Sequence, residues 1–143
     1  MNQVDFYILN NDSATNIELF VCRLAEKAFK KGHKIHILTA NRQQQDKVDQ
    51  LMWTFNDQSF LPHVISGDEL SADTPIHISH DLENVVIRDV LINLKPEVPA
   101  SYEQFDRIAE IVASNSEQRQ AARLRYREYQ RKGCAVASHE VNR

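Results

Sequence analysis

Glycine is scarce in this sequence, with Gly32, Gly67 and Gly133 the only three among 143 residues. The turn after the first predicted strand, NNDSATN at residues 10–16, contains none, and the chain has neither a GxGxxG nor a GxxxxGK[ST] motif. Because glycine lets a backbone approach a pyrophosphate closely, these absences argue against a nucleotide-binding loop. We expect no cofactor.

Cysteine and long apolar runs are equally sparse. Cys22 and Cys134 form no metal-binding or secreted-protein pattern, so two reduced thiols are expected. No apolar run approaches the length of a membrane span, and the N-terminal residues lack a signal-peptide pattern. These features predict a cytoplasmic protein that does not enter a membrane.

Residue sets with an obvious chemistry are also lacking. His77 and His80 are three apart, which on a strand places their rings on opposite faces, so a metal site is not expected. Asp12 follows the first strand, where α/β enzymes place catalytic groups, but an acid near a helix N-terminus is favourable without any catalysis. No Ser/His/Asp or Cys/His set stands out, and we predict no catalytic residues.

Strand and helix patterns alternate through most of the chain. Strands are predicted at residues 4–10, 34–39, 76–79, 90–94 and 107–113, the last favoured over a helix. Helices are predicted from a Thr15–Glu18 capping box to Gly32, from an N-cap at Thr39 or Asn41 to Met52, briefly at 100–105, and from Ser116, which is the N-cap candidate of the last helix. This order predicts an α/β, Rossmann-like fold with a mostly parallel sheet and helices on both faces. We expect a single domain over residues 1–143, with 134–143 as a loosely ordered tail.

The predicted helix at residues 116–133 concentrates positive charge. It has six basic residues and two acids, a net charge of +4, on a chain of net charge −3. At 100° per residue, one stripe carries Arg119, Arg123, Tyr126 and Arg127. Arg125 projects toward the opposite, core-facing side and is interpreted as a structural ion pair. Charge runs are commonly only solvated faces. A one-signed stripe with a tyrosine and a preference for Arg favours instead an anionic ligand with an apolar part.

Aromatic residues are concentrated at positions 53–63, which include Trp53, Phe55 and Phe60 and show no clear period. They could form a lid on the core, because aromatics in one domain are usually buried. They could equally anchor a partner protein, because Trp is enriched at interface hot spots. The pattern alone leaves both interpretations open.

Five motifs together resemble the chi subunit family of bacterial DNA polymerase III, over nearly the full chain. They are FYILNND at residues 6–12, LAEKAFKKGHKIHIL at 24–38, LMWTFNDQSFLPH at 51–63, DVLINL at 89–94 and ARLRYREY at 122–129. Each is modestly specific, and their order and spacing carry the resemblance.

The resemblance implies a Rossmann-like accessory subunit without enzymatic activity. It implies that the chain bridges the clamp loader, through the psi subunit, to the acidic C-terminal tail of single-stranded DNA-binding protein (SSB). By motif alignment, the tail-binding positions are Arg119, Arg123, Tyr126 and Arg127, and the psi surface includes Trp53 and Phe60. DNA would then be contacted only through SSB, and a helicase as a further partner stays open. The alternative is a direct single-stranded nucleic-acid binder using the same basic helix, which the net charge of −3 disfavours.

Overall fold

A computed structural model describes residues 2–9, 17–55, 61–65, 74–83 and 85–141. Strands and α-helices alternate up to residue 65 and again from residue 107, but between residues 63 and 112 four strands follow one another with no α-helix among the described residues. One 3-10 turn lies at Tyr102–Gln104, in place of the short helix predicted at 100–105. The elements in chain order are β1 (Gln3–Leu9), α1 (Ile17–Lys30), β2 (Ile35–Leu38), α2 (Arg42–Thr54), β3 (His63–Ile65), β4 (Ile76–Ser79), β5 (Val90–Asn93), β6 (Arg107–Val112), α3 (Ser116–Arg131) and β7 (Ala135–Val141).

The seven strands form one sheet in the order β3-β4-β2-β5-β6-β1-β7, and every pairing is parallel. β1 is therefore an inner strand, paired with β6 on one side and β7 on the other. In this register Ile8 lies opposite Val112 and Glu140. The predicted Rossmann-like α/β fold is confirmed.

Helices cover both faces of the sheet, as predicted. Alternate residues of β2 show the division: Ile35 and Ile37 belong to the cluster beneath α1 and α2, whereas Leu38 belongs to the cluster beneath α3. Because successive side chains of a strand point to opposite faces, each buried strand contributes to both clusters. Of the three described α-helices, α3 is the one on its face, beside the strands β6, β1 and β7.

Local capping sets the ends of the helices. Asn41, one of the two caps considered for α2, accepts a hydrogen bond from the Gln44 amide at 2.8 Å. For α3 the expected cap, Ser116, is wrong: Asn115 is the cap and accepts from the Gln118 amide at 2.8 Å. Gly133, with φ +85°, stops α3 in the left-handed conformation that favours glycine. Thr15, predicted to cap the first helix, lies outside the described residues.

The prediction of a loosely ordered tail at residues 134–143 is wrong for Ala135–Val141. These residues form β7, which pairs with β1 at seven consecutive positions from Ala135 opposite Gln3 to Val141 opposite Leu9. β7 lies at the edge of the sheet, and no residue in it is fully buried. An edge strand of this kind lacks the continuous hydrophobic run of an inner parallel strand, so its composition resembles a tail.

The aromatic segment at residues 53–63 is divided among several elements. Trp53 belongs to the last turn of α2, and not to an irregular stretch. Leu61 is buried in the core, and His63 begins the edge strand β3, which the sequence did not predict. Residues 56–60, including Phe60, lie outside the described part of the chain.

Both cysteines are free thiols, as expected. Burial raises the pKa of Cys22 to about 12, so this thiol stays protonated at neutral pH. Within the described ranges, no helix is long and apolar enough to span a bilayer.

Candidate functional site

A cleft of about 350 Å³ lies between α3 and the neighbouring ends of β1 and β7. All four residues of the predicted stripe, Arg119, Arg123, Tyr126 and Arg127, line it. Arg123 and Arg127 are exposed, while Arg119 and Tyr126 are half-buried. The helix period therefore identified side chains that share one concave surface.

The position of α3 explains why this stripe faces the cleft. Ala122, Arg125 and Tyr129 are the buried residues of the helix, spaced at i, i+3 and i+7. This spacing fixes the rotation of the helix about its axis, because residues three or four apart lie on one face. The basic stripe lies beside that buried face, along the margin that overlooks β1 and β7.

A buried polar network anchors α3 to the sheet. Glu110 of β6 is fully buried, and its Oε1 accepts a hydrogen bond from Arg125 Nε at 3.0 Å. Its Oε2 accepts from the Tyr129 hydroxyl at 2.6 Å and from Asn93 Nδ2 at 2.9 Å. Arg125 Nη1 also donates to the Pro96 carbonyl at 2.9 Å. The prediction that Arg125 makes a structural ion pair is confirmed.

Burial raises the pKa of the Glu110 carboxyl, and the Arg125 guanidinium opposes that rise most strongly. The Tyr129 and Asn93 hydrogen bonds act in the same sense as Arg125. Because the carboxylate is buried, its partners satisfy a charge that would otherwise be costly in the interior. The network therefore fixes the position and rotation of α3 on the sheet, and with them the position of the stripe.

Aromatic packing makes the base of the cleft apolar. The ring of Tyr126 lies over Phe6, with 5.3 Å between ring centroids and an interplanar angle of 44°. Phe6 also meets Tyr129 edge-on at 6.1 Å, so it is held from below. Ile8 extends the same surface along β1. A ligand side chain that enters the cleft would contact these apolar groups.

The rim of the cleft is mainly positive. Arg119, Arg123 and Arg127 provide three guanidinium groups, and Glu140 of β7 is the one carboxylate among the described lining residues. Guanidinium groups bind carboxylates through paired hydrogen bonds. A cationic rim over an apolar base suits recognition of an anionic group attached to a hydrophobic one.

Sequence reasoning missed the other walls of this cleft. Phe6 and Ile8 were predicted only as strand residues, and Ser138 and Glu140 were assigned to a tail. One signal could have found β7: a strand followed by a helix, here β6 and then α3 ending at Gly133, commonly leads into a further parallel strand of the same sheet.

The predicted partner surface lies at the other edge of the sheet. Trp53 is 59% exposed on α2, and its ring meets His63 of β3 edge-on, with 4.7 Å between centroids. β3 and β7 are the two edge strands, so the structure does not bring Trp53 together with the α3 cleft. Its exposure argues against the alternative of a core lid for this residue. The position of Phe60 lies outside the described residues.

The histidines do not form a metal site in the part of the chain that the structure describes. There, no group of three or more His, Cys, Asp or Glu side chains could hold an ion. His36 packs against His77 with 6.1 Å between rings, and its Nε2 lies 2.7 Å from Ser79 Oγ. Burial lowers the pKa of His36 to about 4, and His77 adds to that shift. Asp12 falls outside the described residues.

Comparison with known proteins supports the resemblance found in the motifs. The family model described as DNA polymerase III chi subunit, HolC, matches residues 1–137. A DNA polymerase III subunit chi from Pseudomonas aeruginosa is 33% identical over 144 residues, covering 100% of this chain and 99% of the relative. The Haemophilus influenzae subunit chi is 31% identical, with 95% of each chain covered. The Escherichia coli subunit chi is 26% identical over 134 residues, covering 90% of this chain and 91% of the relative.

The family match extends over nearly the whole chain, and the Pseudomonas relative is covered almost end to end. The chain therefore belongs to the DNA polymerase III chi subunit family.

Proposed function

We propose that this chain is a non-catalytic accessory subunit that links the clamp loader, through the psi subunit, to the acidic C-terminal tail of SSB during DNA replication. Family membership places it in the DNA polymerase III assembly. The observation that most supports tail binding is that four stripe residues, selected by helix period, line one cleft of about 350 Å³.

The first step of recognition is electrostatic. The tail ends in a free carboxylate preceded by acidic residues, and the three guanidinium groups of the rim complement both features. Arg123 is exposed at the middle of the stripe and is the residue that pairs with the terminal carboxylate. Arg119 and Arg127, one turn to either side of Arg123, attract the acidic side chains.

The second step is apolar. The last side chain of the tail is hydrophobic, and Tyr126 with Phe6 and Ile8 offers it a surface out of water. Because Tyr126 is packed on Phe6, its ring loses little freedom when a ligand arrives. The apolar contact distinguishes the tail from a purely anionic chain.

The affinity of this contact should be modest and sensitive to salt. Ion pairs at exposed sites contribute about 0–1 kcal/mol each, so a single tail is held at roughly micromolar Kd. Ionic strength weakens the attraction of the rim for the acidic residues. Several tails on one SSB assembly would raise the effective affinity without new contacts.

The test compares two arginines of the same helix. Calorimetric titration with an acidic SSB-tail peptide should show binding to wild type and about fivefold weaker binding to Arg123→Ala, which corresponds to the loss of about 1 kcal/mol. Arg131→Ala is the matched control, because Arg131 is exposed on α3 but lies outside the cleft lining. Equal effects of the two substitutions would refute the assignment of the cleft.

A second peptide separates charge from shape. Removing the terminal apolar residue keeps a free carboxylate and the acidic side chains but takes away the group that Tyr126 contacts. We expect binding to be lost. Unchanged affinity would mean that charge alone attracts the peptide, and an oligonucleotide that competes at the same arginines would then favour the alternative of a direct nucleic-acid binder.

For the psi subunit, the proposed contact is the surface around Trp53, including Phe60. Trp53 is 59% exposed, and tryptophan is enriched among the residues that dominate protein interfaces, which supports the choice of this surface. Trp53→Ala should abolish co-purification with psi and preserve tail binding. Leu124→Ala is the control, because Leu124 is 63% exposed but lies on α3. Loss of psi binding in both variants would contradict the assignment.

A further inference from the structure

A second, larger cleft lies on the opposite face of the same two strands, β1 and β7. Its volume is about 530 Å³, and it lies between α1 and the surface formed by β6, β1 and β7. Tyr7 and His139 line it, whereas the adjacent residues Phe6 and Ser138 line the α3 cleft. β1 and β7 therefore separate two clefts. We call the second one the α1 groove.

One rim of the α1 groove is a row of cations. Arg23, Lys27 and Lys31 follow one another at one-turn intervals, and all three are exposed. The row is about 12 Å long at 1.5 Å per residue. Arg107 also lines the groove, where it pairs at 3.4 Å with Asp5, the one acidic side chain among the described lining residues.

The carboxylates nearest this row are already engaged. Asp5 is largely buried and accepts from His139 Nε2 at 3.0 Å. On α1 itself, Glu18 pairs with Lys47 at 3.3 Å and Glu26 with Lys30 at 3.6 Å. The groove therefore presents a positive surface although the chain as a whole is negative. At about 0.1 M salt the Debye length is about 10 Å, so the negative charges on remote parts of the surface are largely screened from a ligand in the groove.

Beside the cation row lies a stacked pair of rings. His139 lies on Tyr7 with 5.1 Å between centroids and an interplanar angle of 23°. The His139 side chain is 48% exposed, and its bond to Asp5 fixes the ring in place. Tyr7 is supported in turn by Phe20 at 5.8 Å. This arrangement is a supported ring with an open side.

We propose that the α1 groove binds single-stranded DNA. Binding of single strands without sequence preference combines a positive groove that follows the backbone with rings on which bases stack. At a rise of 3.4 Å per stacked nucleotide, the cation row spans about four nucleotides. An acidic peptide could pair with the same cations, but acidic side chains do not stack on an open aromatic ring, whereas the bases of a single strand do. The proposal adds a direct DNA contact to the indirect one through SSB, on a different surface from α3.

The test uses a fluorescent oligothymidylate of about 12 nucleotides and fluorescence anisotropy at about 100 mM salt, where a Debye length of about 10 Å screens the remote negative surface from the groove. We expect wild type to bind and Arg23→Glu to bind at least about tenfold more weakly. Arg42→Glu is the matched control, because Arg42 is an exposed arginine of α2 and the change in net charge is identical. It should bind like wild type. Circular dichroism verifies that each variant is folded.

Each other outcome overturns the proposal. Absence of binding to wild type does so directly. Equal weakening by Arg23→Glu and Arg42→Glu means that only net charge matters. If Arg123→Glu is the one variant that weakens oligonucleotide binding, the DNA binds in the α3 cleft. If Arg23→Glu weakens the binding of an acidic SSB-tail peptide and leaves the affinity for the oligonucleotide unchanged, the groove is a peptide site.

The role of the ring has its own pair of variants. His139→Ala removes the stacking surface and should weaken oligonucleotide binding by about fivefold or more. His139→Phe retains a ring and should restore most of the affinity, although it loses the bond to Asp5. If both variants bind equally weakly, the ring does not stack on bases. Tail-peptide binding should be unchanged in both, which distinguishes failure here from failure of the proposed function.

Discussion

Replacing Arg125 by methionine should destabilise the protein severely although the residue lies on a largely polar helix. The substitution keeps most of the side-chain volume and removes the guanidinium that donates to Glu110 Oε1 at 3.0 Å and to the Pro96 carbonyl at 2.9 Å. Glu110 is fully buried, so it would keep only neutral hydrogen-bond donors. Breaking one partner of a buried pair costs about 3–5 kcal/mol.

Urea denaturation followed by circular dichroism measures this loss. With a slope of about 2 kcal/mol per molar urea, the midpoint should fall by roughly 2 M. Arg123→Met is the matched control, because Arg123 is exposed two residues away on the same helix. Its effect should stay within about 0.5 kcal/mol.

A double variant tests the physical reason for the loss. Glu110→Leu combined with Arg125→Met removes both charges, and replacing a buried pair by apolar side chains is often close to neutral. It should therefore recover much of the lost stability. The reasoning is refuted if Arg125→Met costs no more than Arg123→Met, or if the double variant is less stable than Arg125→Met alone.

Three further perturbations follow from the structure. The pKa of His36 is lowered to about 4 in the folded protein. Between about pH 6.5 and pH 4 the unfolded chain therefore binds more protons than the folded one, and the free energy of unfolding decreases as the pH is lowered. Urea titrations should show that protonation of His36 lowers the free energy of unfolding by about 2 kcal/mol at pH 5 relative to neutral pH. A His36→Asn variant whose free energy of unfolding depends on pH as strongly as that of wild type would contradict this. Tyr129→Phe removes the 2.6 Å bond to Glu110 and should cost about 1.5–3 kcal/mol in the same assay; a cost below about 0.5 kcal/mol would contradict it. Gly133→Ala forces a side chain to φ +85° and should lower stability by about 1 kcal/mol, whereas no loss would mean that the turn relaxes.

The features predicted best from the sequence are those with a local cause. The period of α3 identified the stripe around Arg123 and the inward direction of Arg125, because the rotation of a helix follows from its own buried residues. The parallel sheet followed from the alternation of strands and helices. Gly133 marked the end of α3, because its positive φ is a property of the residue itself.

The features that were missed depend on distant parts of the chain. β7 has an exposed, polar composition, and its strand structure comes from pairing with β1, more than 130 positions earlier. Glu110 interrupts an apolar strand, and no local pattern indicates that Arg125 and Tyr129 satisfy it. Both clefts exist only because β7 is in place, so neither could be outlined before the pairing was known.

The central claim, that the α3 cleft receives the SSB tail, is tested most directly by mapping the peptide on the protein by NMR. Titration of the acidic tail peptide into isotope-labelled protein should shift the amide signals of Arg123, Tyr126 and Ile8 most, and a peptide without its terminal apolar residue should leave them unmoved. Shifts confined to the α1 groove around Lys27, or to the Trp53 surface, would contradict the account.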